Sequence, residues 1–301
     1  MPAVQVNGLQ LEYEVIGDNS APPLLLIMGL GMQMIAWPDA FCAKLADQGF
    51  RVIRFDNRDV GLSTKLEHLG TPNVPFEFAK YMLRLPLKAP YYIDDMTADA
   101  ASLLAALGID KAHIVGASMG GMIAQNLAAN FPDRVLSLTS MMSTTGRRSL
   151  PGPTWRARNA LLSPPAKRGD IAGAITRMKK VFRVIGSPGF PEDEAILTNL
   201  CERHVRRNNY PPGIARQLVA IAASGDRSKV LRHITAPTLV IHGKDDPLLP
   251  VAAGIDTARA ISNAQLSIIP GMGHDIPSGL HERLVAEIVA HCRHNPGATG
   301  G

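Results

Sequence analysis

Cysteine is nearly absent from this 301-residue chain. The three present, Cys42, Cys201 and Cys292, are odd in number, far apart and in no CxxC or CxxH spacing. That excludes a disulfide framework and a zinc knuckle and leaves buried or incidental thiols. A membrane-length apolar run is also missing. The longest apolar stretch, residues 21–36, is broken by Pro22, Pro23, Gly29, Gly31 and Gln33, so it falls short of the ~20 residues a spanning helix needs. The start, MPAVQVNGLQ, lacks the basic region and apolar run of a signal peptide, and a cytoplasmic location is expected. No internal repeat is visible, and glycine and proline follow no period, which removes fibrous architectures. Aromatic residues make up only 5%, but 46% hydrophobic and 19% charged residues describe a globular chain with a sizeable core.

What the chain has in excess is positive charge in one place. Residues 147–232 carry 17 Lys and Arg against 6 Asp and Glu, net +11, whereas the remainder carries 14 against 20, net −6. Such a contrast marks two structural units. The overall +5 is a small sum of opposed parts and gives no reason to expect nucleic acid. The basic residues are expected to be solvated helix faces. After His294 the chain ends in NPGATGG, a composition expected to fray.

Before the basic segment, short apolar β-branched runs alternate with helical patterns. Residues 4–6 and 9–15 suit a hairpin turned at Asn7-Gly8, because Asn-Gly supplies the positive φ angles of a tight turn. Residues 24–28, 52–55, 113–115 and 135–141 are continuous rather than alternating apolar runs, as expected of parallel strands covered on both faces. Helical spacing occupies 37–48, 96–107 before Gly108, and 119–130 before Phe131-Pro132. After the basic segment the alternation resumes with strands at 238–241 and 265–269 and helices near 251–260 and 281–291. These β-α units predict an α/β sheet with right-handed crossovers, interrupted after its fourth parallel strand. Within the interruption the pattern is helical at 155–162, 170–184, 192–206 and 213–223, so residues 144–232 are expected to form a helical cap over a catalytic domain made of 1–143 and 233–301.

The most informative stretch is His113-Ile114-Val115-Gly116-Ala117-Ser118-Met119-Gly120-Gly121-Met122, a strand running through GxSxG into a helix. A serine on so sharp a turn takes a strained backbone, and the residues two before and two after it must have almost no side chain. Gly116 and Gly120 meet that requirement. The turn raises the Ser118 hydroxyl above the sheet and leaves the Met119 N–H at a helix N-terminus as an oxyanion donor. A second donor is expected from the loop after the third strand, where the Leu30 N–H is the candidate. Gly29-x-Gly31 there is not a dinucleotide loop, since position 34 is Met where a third glycine is required.

A serine hydroxyl needs a histidine oriented by a carboxylate. His242, His274, His281, His291 and His294 follow the basic segment; His281, His291 and His294 are expected to be solvated on or after a polar terminal helix. His274 lies in a Gly-rich loop immediately after the last strand and is the expected base. The acid should end the preceding strand, where Lys244-Asp245-Asp246-Pro247 stands. The spacing from Gly243 to Pro250 selects Asp246 and leaves Asp245 as a turn former. Residues 137–148 contain no carboxylate, which closes the other common position for the acid. The charged run Asp56-Asn57-Arg58-Asp59 is expected to brace loops beneath the site, and Met28, Met32, Met34, Met119, Met122, Met141, Met142 and Met272 to fill the core.

The segments LLLIMGLGMQMIAWPDAF, FRVIRFDNRDVGLS, HIVGASMGGMIAQ, APTLVIHGKDDPLLP and IIPGMGHDIPSGL resemble the α/β-hydrolase superfamily, and within it the aclacinomycin methylesterase-like and proline iminopeptidase-like esterases. Met28-Gly29 stands where many relatives have His-Gly, a change the methylesterase-like group shares. The resemblance implies an eight-stranded, mostly parallel sheet, Ser118, Asp246 and His274 as catalytic triad, Leu30 and Met119 as oxyanion hole, and no metal or organic cofactor. An aminopeptidase would need acidic cap residues to hold an ammonium group, and the basic cap offers only Glu202 or the Glu192–Glu194 cluster. The expected activity is therefore hydrolysis of small to medium carboxylic esters through an acyl-enzyme. The same triad serves cofactor-free perhydrolases, C–C hydrolases and amidases, and a non-catalytic binder docking through its basic cap is the rival from another class. A small-molecule ester is the partner implied, without integral membrane association; a homodimer is the one assembly left open. The basic cap could also steer anionic esters, a second reading to that of solvated faces.

Overall fold

A computed structural model describes residues 2–167 and 169–295, so most of the C-terminal tail expected to fray lies outside the described residues. The strands are β1 (Ala3–Val6), β2 (Leu9–Ile16), β3 (Pro23–Ile27), β4 (Arg51–Phe55), β5 (Ala112–Ala117), β6 (Val135–Met141), β7 (Thr238–Gly243) and β8 (Gln265–Ile269). The helices are α1 (Asp39–Asp47), α2 (Val74–Met82), α3 (Ile93–Ala106), α4 (Met119–Asn130), α5 (Trp155–Leu161), α6 (Ile171–Ile185), α7 (Glu194–Arg207), α8 (Pro211–Ser224), α9 (Ser228–Leu231), α10 (Ala252–Ala260) and α11 (His281–Arg293). Asn7 and Gly8, at φ 49° and 75°, make the expected tight turn between β1 and β2.

All eight strands form one sheet in the order β1-β2-β4-β3-β5-β6-β7-β8. β1 and β2 are antiparallel to their neighbours, and β3 to β8 run parallel. The continuous apolar runs have the cause expected of them: both faces of the sheet are covered. Leu25, Ile27, Ile53, Phe55, Ile114 and Leu138 point to a core shared with α3 and α4. Leu24, Leu26, Val52, Val115, Met141 and Ile241 point to a second core shared with α1 and α11. Each such fully buried aliphatic side chain contributes about 1.5–3 kcal/mol.

Two sequence expectations need correction here. His281 and His291 are buried rather than solvated. They extend the three- and four-residue spacing of Leu284, Val285, Ile288 and Cys292, so they lie on the face of α11 turned to the sheet. His281 meets the Phe41 ring edge-on at 5.6 Å, and His291 Nε2 donates to Pro237 O at 3.2 Å. Of the three histidines only His294 is exposed.

The helical segment between β6 and β7 is also less solvated than its charge suggests. Arg216 Nε and Nη2 donate to Asp59 Oδ2 and Oδ1 at 2.8 and 2.7 Å, with both side chains buried. Arg207 pairs with buried Asp56 at 2.6 Å, and buried Arg227 donates to Thr144 O and Gln125 Oε1. Part of the +11 therefore serves to fasten the helical segment to carboxylates in the loop after β4.

Breaking one partner of a buried pair leaves the other charge uncompensated. Arg216→Met is expected to cost about 3–5 kcal/mol in urea unfolding, and adding Asp59→Asn should recover part of that loss. A double variant no more stable than the single one would contradict this account.

Candidate active site

Strand order reverses between β3 and β5: from β3 the chain crosses to β4 on one side, then to β5 on the other. The crevice at the carboxyl ends of such strands is where open α/β sheets hold ligands. Two loops meet there. The residues after β5 turn through Ser118, whose φ of 57° and ψ of −120° are rare for any residue with a Cβ. A Cβ on Gly116 would lie 2.2 Å from Gly120 O, and one on Gly120 would lie 2.0 Å from Ile27 O. Neither position can accept a side chain, which is why the two glycines flank the serine. Ser143 Oγ donates to Ser118 O at 2.8 Å and secures the turn from the β6 side.

Loops after β7 and β8 bring the partners. Ser118 Oγ lies 2.9 Å from His274 Nε2, and His274 Nδ1–H donates to Asp246 Oδ2 at 2.6 Å. With the proton on Nδ1, Nε2 is left as an acceptor facing the serine hydroxyl. Asp246 Oδ1 accepts the N–H groups of Leu248 and Leu249, both at 2.8 Å. Burial pushes the Asp246 pKa up, but the His274 ring and the Leu249 N–H outweigh it and hold the carboxyl below its usual range. Asp245 is exposed and accepts Gly271 N–H at 2.7 Å, tying the β7 and β8 loops together. His242 donates from Nε2 to Leu249 O, and burial holds its pKa low.

The loop after β3 passes directly beside the serine: a Cβ on Gly29 would sit 3.0 Å from Ser118 Cβ. Asn57 Nδ2 donates to Met28 O at 3.0 Å, Asp56 Oδ1 accepts Met34 N–H at 2.8 Å, and Gln33 Nε2 donates to His204 O and Asn208 O, each at 2.7 Å. On its outer side Gly31 N–H donates to Gln217 Oε1 at 2.8 Å, while Gln217 Nε2 donates to Arg58 O at 2.9 Å. Gln217 is fully buried on α8, and sequence reasoning missed it. Its signal was the polar pair Arg216-Gln217 set within the otherwise apolar run of α8. The carboxylates that could have held a substrate ammonium are otherwise engaged or exposed. Glu192 accepts both Ser278 N–H and Ser278 Oγ–H, Glu194 pairs with Lys179 and Arg183, and Glu202 is exposed.

Residues 22–174 match the alpha/beta hydrolase fold family, to which the chain belongs. It is 31% identical over 300 residues to the rhodomycin D methylesterase of Streptomyces sp. (strain C5), covering 93% of this chain and 94% of that protein. Identity to the rhodomycin D methylesterase of Streptomyces peucetius is 30% over 302 residues, with the same coverage. Among solved structures, a meta-cleavage product hydrolase from Pseudomonas fluorescens superimposes with a TM-score of 0.73 at 20% identity over 98% of each chain.

Asp275, next to His274, is a further carboxyl the sequence did not single out. Burial lifts its pKa from 3.8 to about 6, against the opposing hydrogen bond from Ser187 Oγ. The folded chain thus keeps a proton that the unfolded chain releases. The stability from this group is fully present below 3.8 and is lost as pH rises through about 6. Asp275→Asn should flatten the loss of stability across that window in denaturant titrations at stepped pH. An unchanged slope would remove Asp275 as its source.

Proposed function

We propose that the chain is a serine carboxylic-ester hydrolase acting on small to medium esters. In this reading residues 144–232 form a helical cap over a catalytic domain of 1–143 and 233–301, and the enzyme works in the cytoplasm on a small-molecule ester. The observation that carries it is the hydrogen-bonded line Asp246–His274–Ser118 ending on a strained serine. The two methylesterase relatives support an ester as the substrate class.

Ser118 Oγ attacks the ester carbonyl while His274 Nε2 takes its proton. Asp246, kept ionised by its surroundings, holds the ring and stabilises the imidazolium. The negative charge on the carbonyl oxygen is received by the N–H groups of Met119, at the N-terminus of α4, and of Leu30, which follows the Gly29 that lies against the serine. His274 then protonates the leaving alcohol, the acyl group stays on Ser118, and a water deprotonated by His274 releases the acid.

Ser118→Ala should lower kcat on a p-nitrophenyl ester by roughly 10⁴-fold or more while circular dichroism and the unfolding midpoint hold. Residual turnover near that of the parent would overturn the assignment. Gln217 acts through Gly31 on the Leu30 donor, so it is a positioning residue. Gln217→Met should reduce kcat about tenfold with KM nearly constant, and weaken a trifluoromethyl ketone inhibitor in parallel. A change in KM alone would place Gln217 in substrate binding instead.

A further inference from the structure

α2 has no buried residue. Phe76, Met82, Leu83 and Leu85 are 60%, 62%, 71% and 50% exposed, and Phe78 is 38% exposed. Five large apolar side chains within ten residues form a patch that a monomeric soluble surface rarely carries without a partner. Within its own segment the charge is mainly positive. Residues 71–92 hold Lys80, Arg84 and Lys88 against a single carboxylate, Glu77, and Glu77 is paired with Lys80 at 3.0 Å. Arg148 adds a fourth cation, its guanidinium 4.1 Å from the Tyr81 ring centre and donating to Tyr81 O.

We propose that α2 and residues 83–88 dock peripherally on an anionic lipid bilayer. Phe76, Met82, Leu83 and Leu85 enter the boundary between headgroups and acyl chains, while Arg84, Lys88 and Arg148 face the lipid phosphates. An apolar helix bordered by exposed cations fits that boundary, which offers hydrocarbon and negative charge together. A second copy of the chain fits less well. A two-fold contact through this patch would set the same unpaired cations against each other, and no carboxylate in 71–92 is free to answer them. Among the described residues no helix is long and apolar enough to span a membrane, so the attachment is superficial and reversible. α2 packs on α8, and α8 sets Ile214 against Gly31, two residues along the loop from the Gly29 that lies beside Ser118; docking therefore adjoins the carboxyl edge of the sheet that holds the serine. The docking surface stands on exposure and charge alone and is independent of the ester-hydrolase reading.

The test is co-sedimentation of the full chain with phosphatidylcholine vesicles, with and without phosphatidylglycerol, across a salt series. Soluble-ester turnover and the unfolding midpoint serve as checks on folding. Binding should require phosphatidylglycerol and weaken as salt rises. Arg84→Glu with Lys88→Glu should lower it by about fivefold or more per residue, and Leu83→Ser with Leu85→Ser by a similar factor or more, with turnover unchanged. Failure to sediment with phosphatidylglycerol vesicles would overturn the proposal, as would binding that neither double variant changes. So would a dimer in solution that Leu83→Ser with Leu85→Ser converts to monomer, since that would make α2 an interface between copies.

Discussion

Gly120 lies so close beneath the end of β3 that a methyl group there would reach to 2.0 Å from Ile27 O. This approach lets the start of α4 lie against the neighbouring strand, and most of the site depends on it. It brings the Met119 N–H and the loop after β3 to the same place, because β3 and β5 are adjacent in the sheet. It also leaves the chain no relaxed path through Ser118, whose φ of 57° is the local cost of the turn. The strain is held by the two cores, which fix β3, β5 and α4 before the loops are considered. The geometry of the candidate site is therefore a by-product of backbone packing.

Electrostatics plays a different part from the one net charge suggests. A segment at +11 beside a domain at −6 reads as two opposed fields. In the folded chain several of those charges are local pairs, with Asp56, Asp59 and Asp39 receiving Arg207, Arg216 and Arg203. The Arg207–Asp56 and Arg216–Asp59 pairs are close and dry, act over a few ångströms and fix orientation, whereas Arg203–Asp39 lies at the surface. Arg84, Lys88 and Arg148, near α2, lie on exposed surface, where field and partner choice are decided.

The sheet was legible because its signals are local. Continuous apolar runs, Asn7-Gly8, Gly116 and Gly120 each report a backbone requirement that only a few residue types meet. Asp246 and His274 were legible through position after a strand and through neighbouring glycines. Histidine burial on α11 was not, because polarity of the residue masked a spacing that His281 and His291 share with Leu284 and Ile288. Gln217 and Asp275 were not either, since their meaning depends on contacts with residues 186 and 88 positions away. α2 escaped because its half-buried stripe, Val74, Glu77, Lys80 and Tyr81, is largely polar while Phe76, Phe78 and Met82 face outward, the reverse of the usual pattern.

α8 joins these parts. Arg216 anchors it to Asp59, Gln217 ties it to Gly31 and to Arg58 O, Ile214 touches Gly31, and α2 rests on its outer side. Arg58 in turn holds Asp99, and Asp99 accepts from Asn7 in the hairpin turn. A polar line thus runs from the loop beside Ser118 to the antiparallel edge of the sheet. Moving α8 away from the sheet would strip a buried arginine from a buried aspartate and a buried glutamine from two backbone partners at once. Each loss is costly alone, and both side chains sit on one helix, so neither can be released separately. Within the helical segment α7 is fastened in the same way, through Arg207 and Asp56. α5 carries no such pair among the described residues, whereas α6 is tied through its backbone: Ile185, its last residue, accepts His274 N–H at 2.7 Å, so a shift of α6 would move the loop that holds His274.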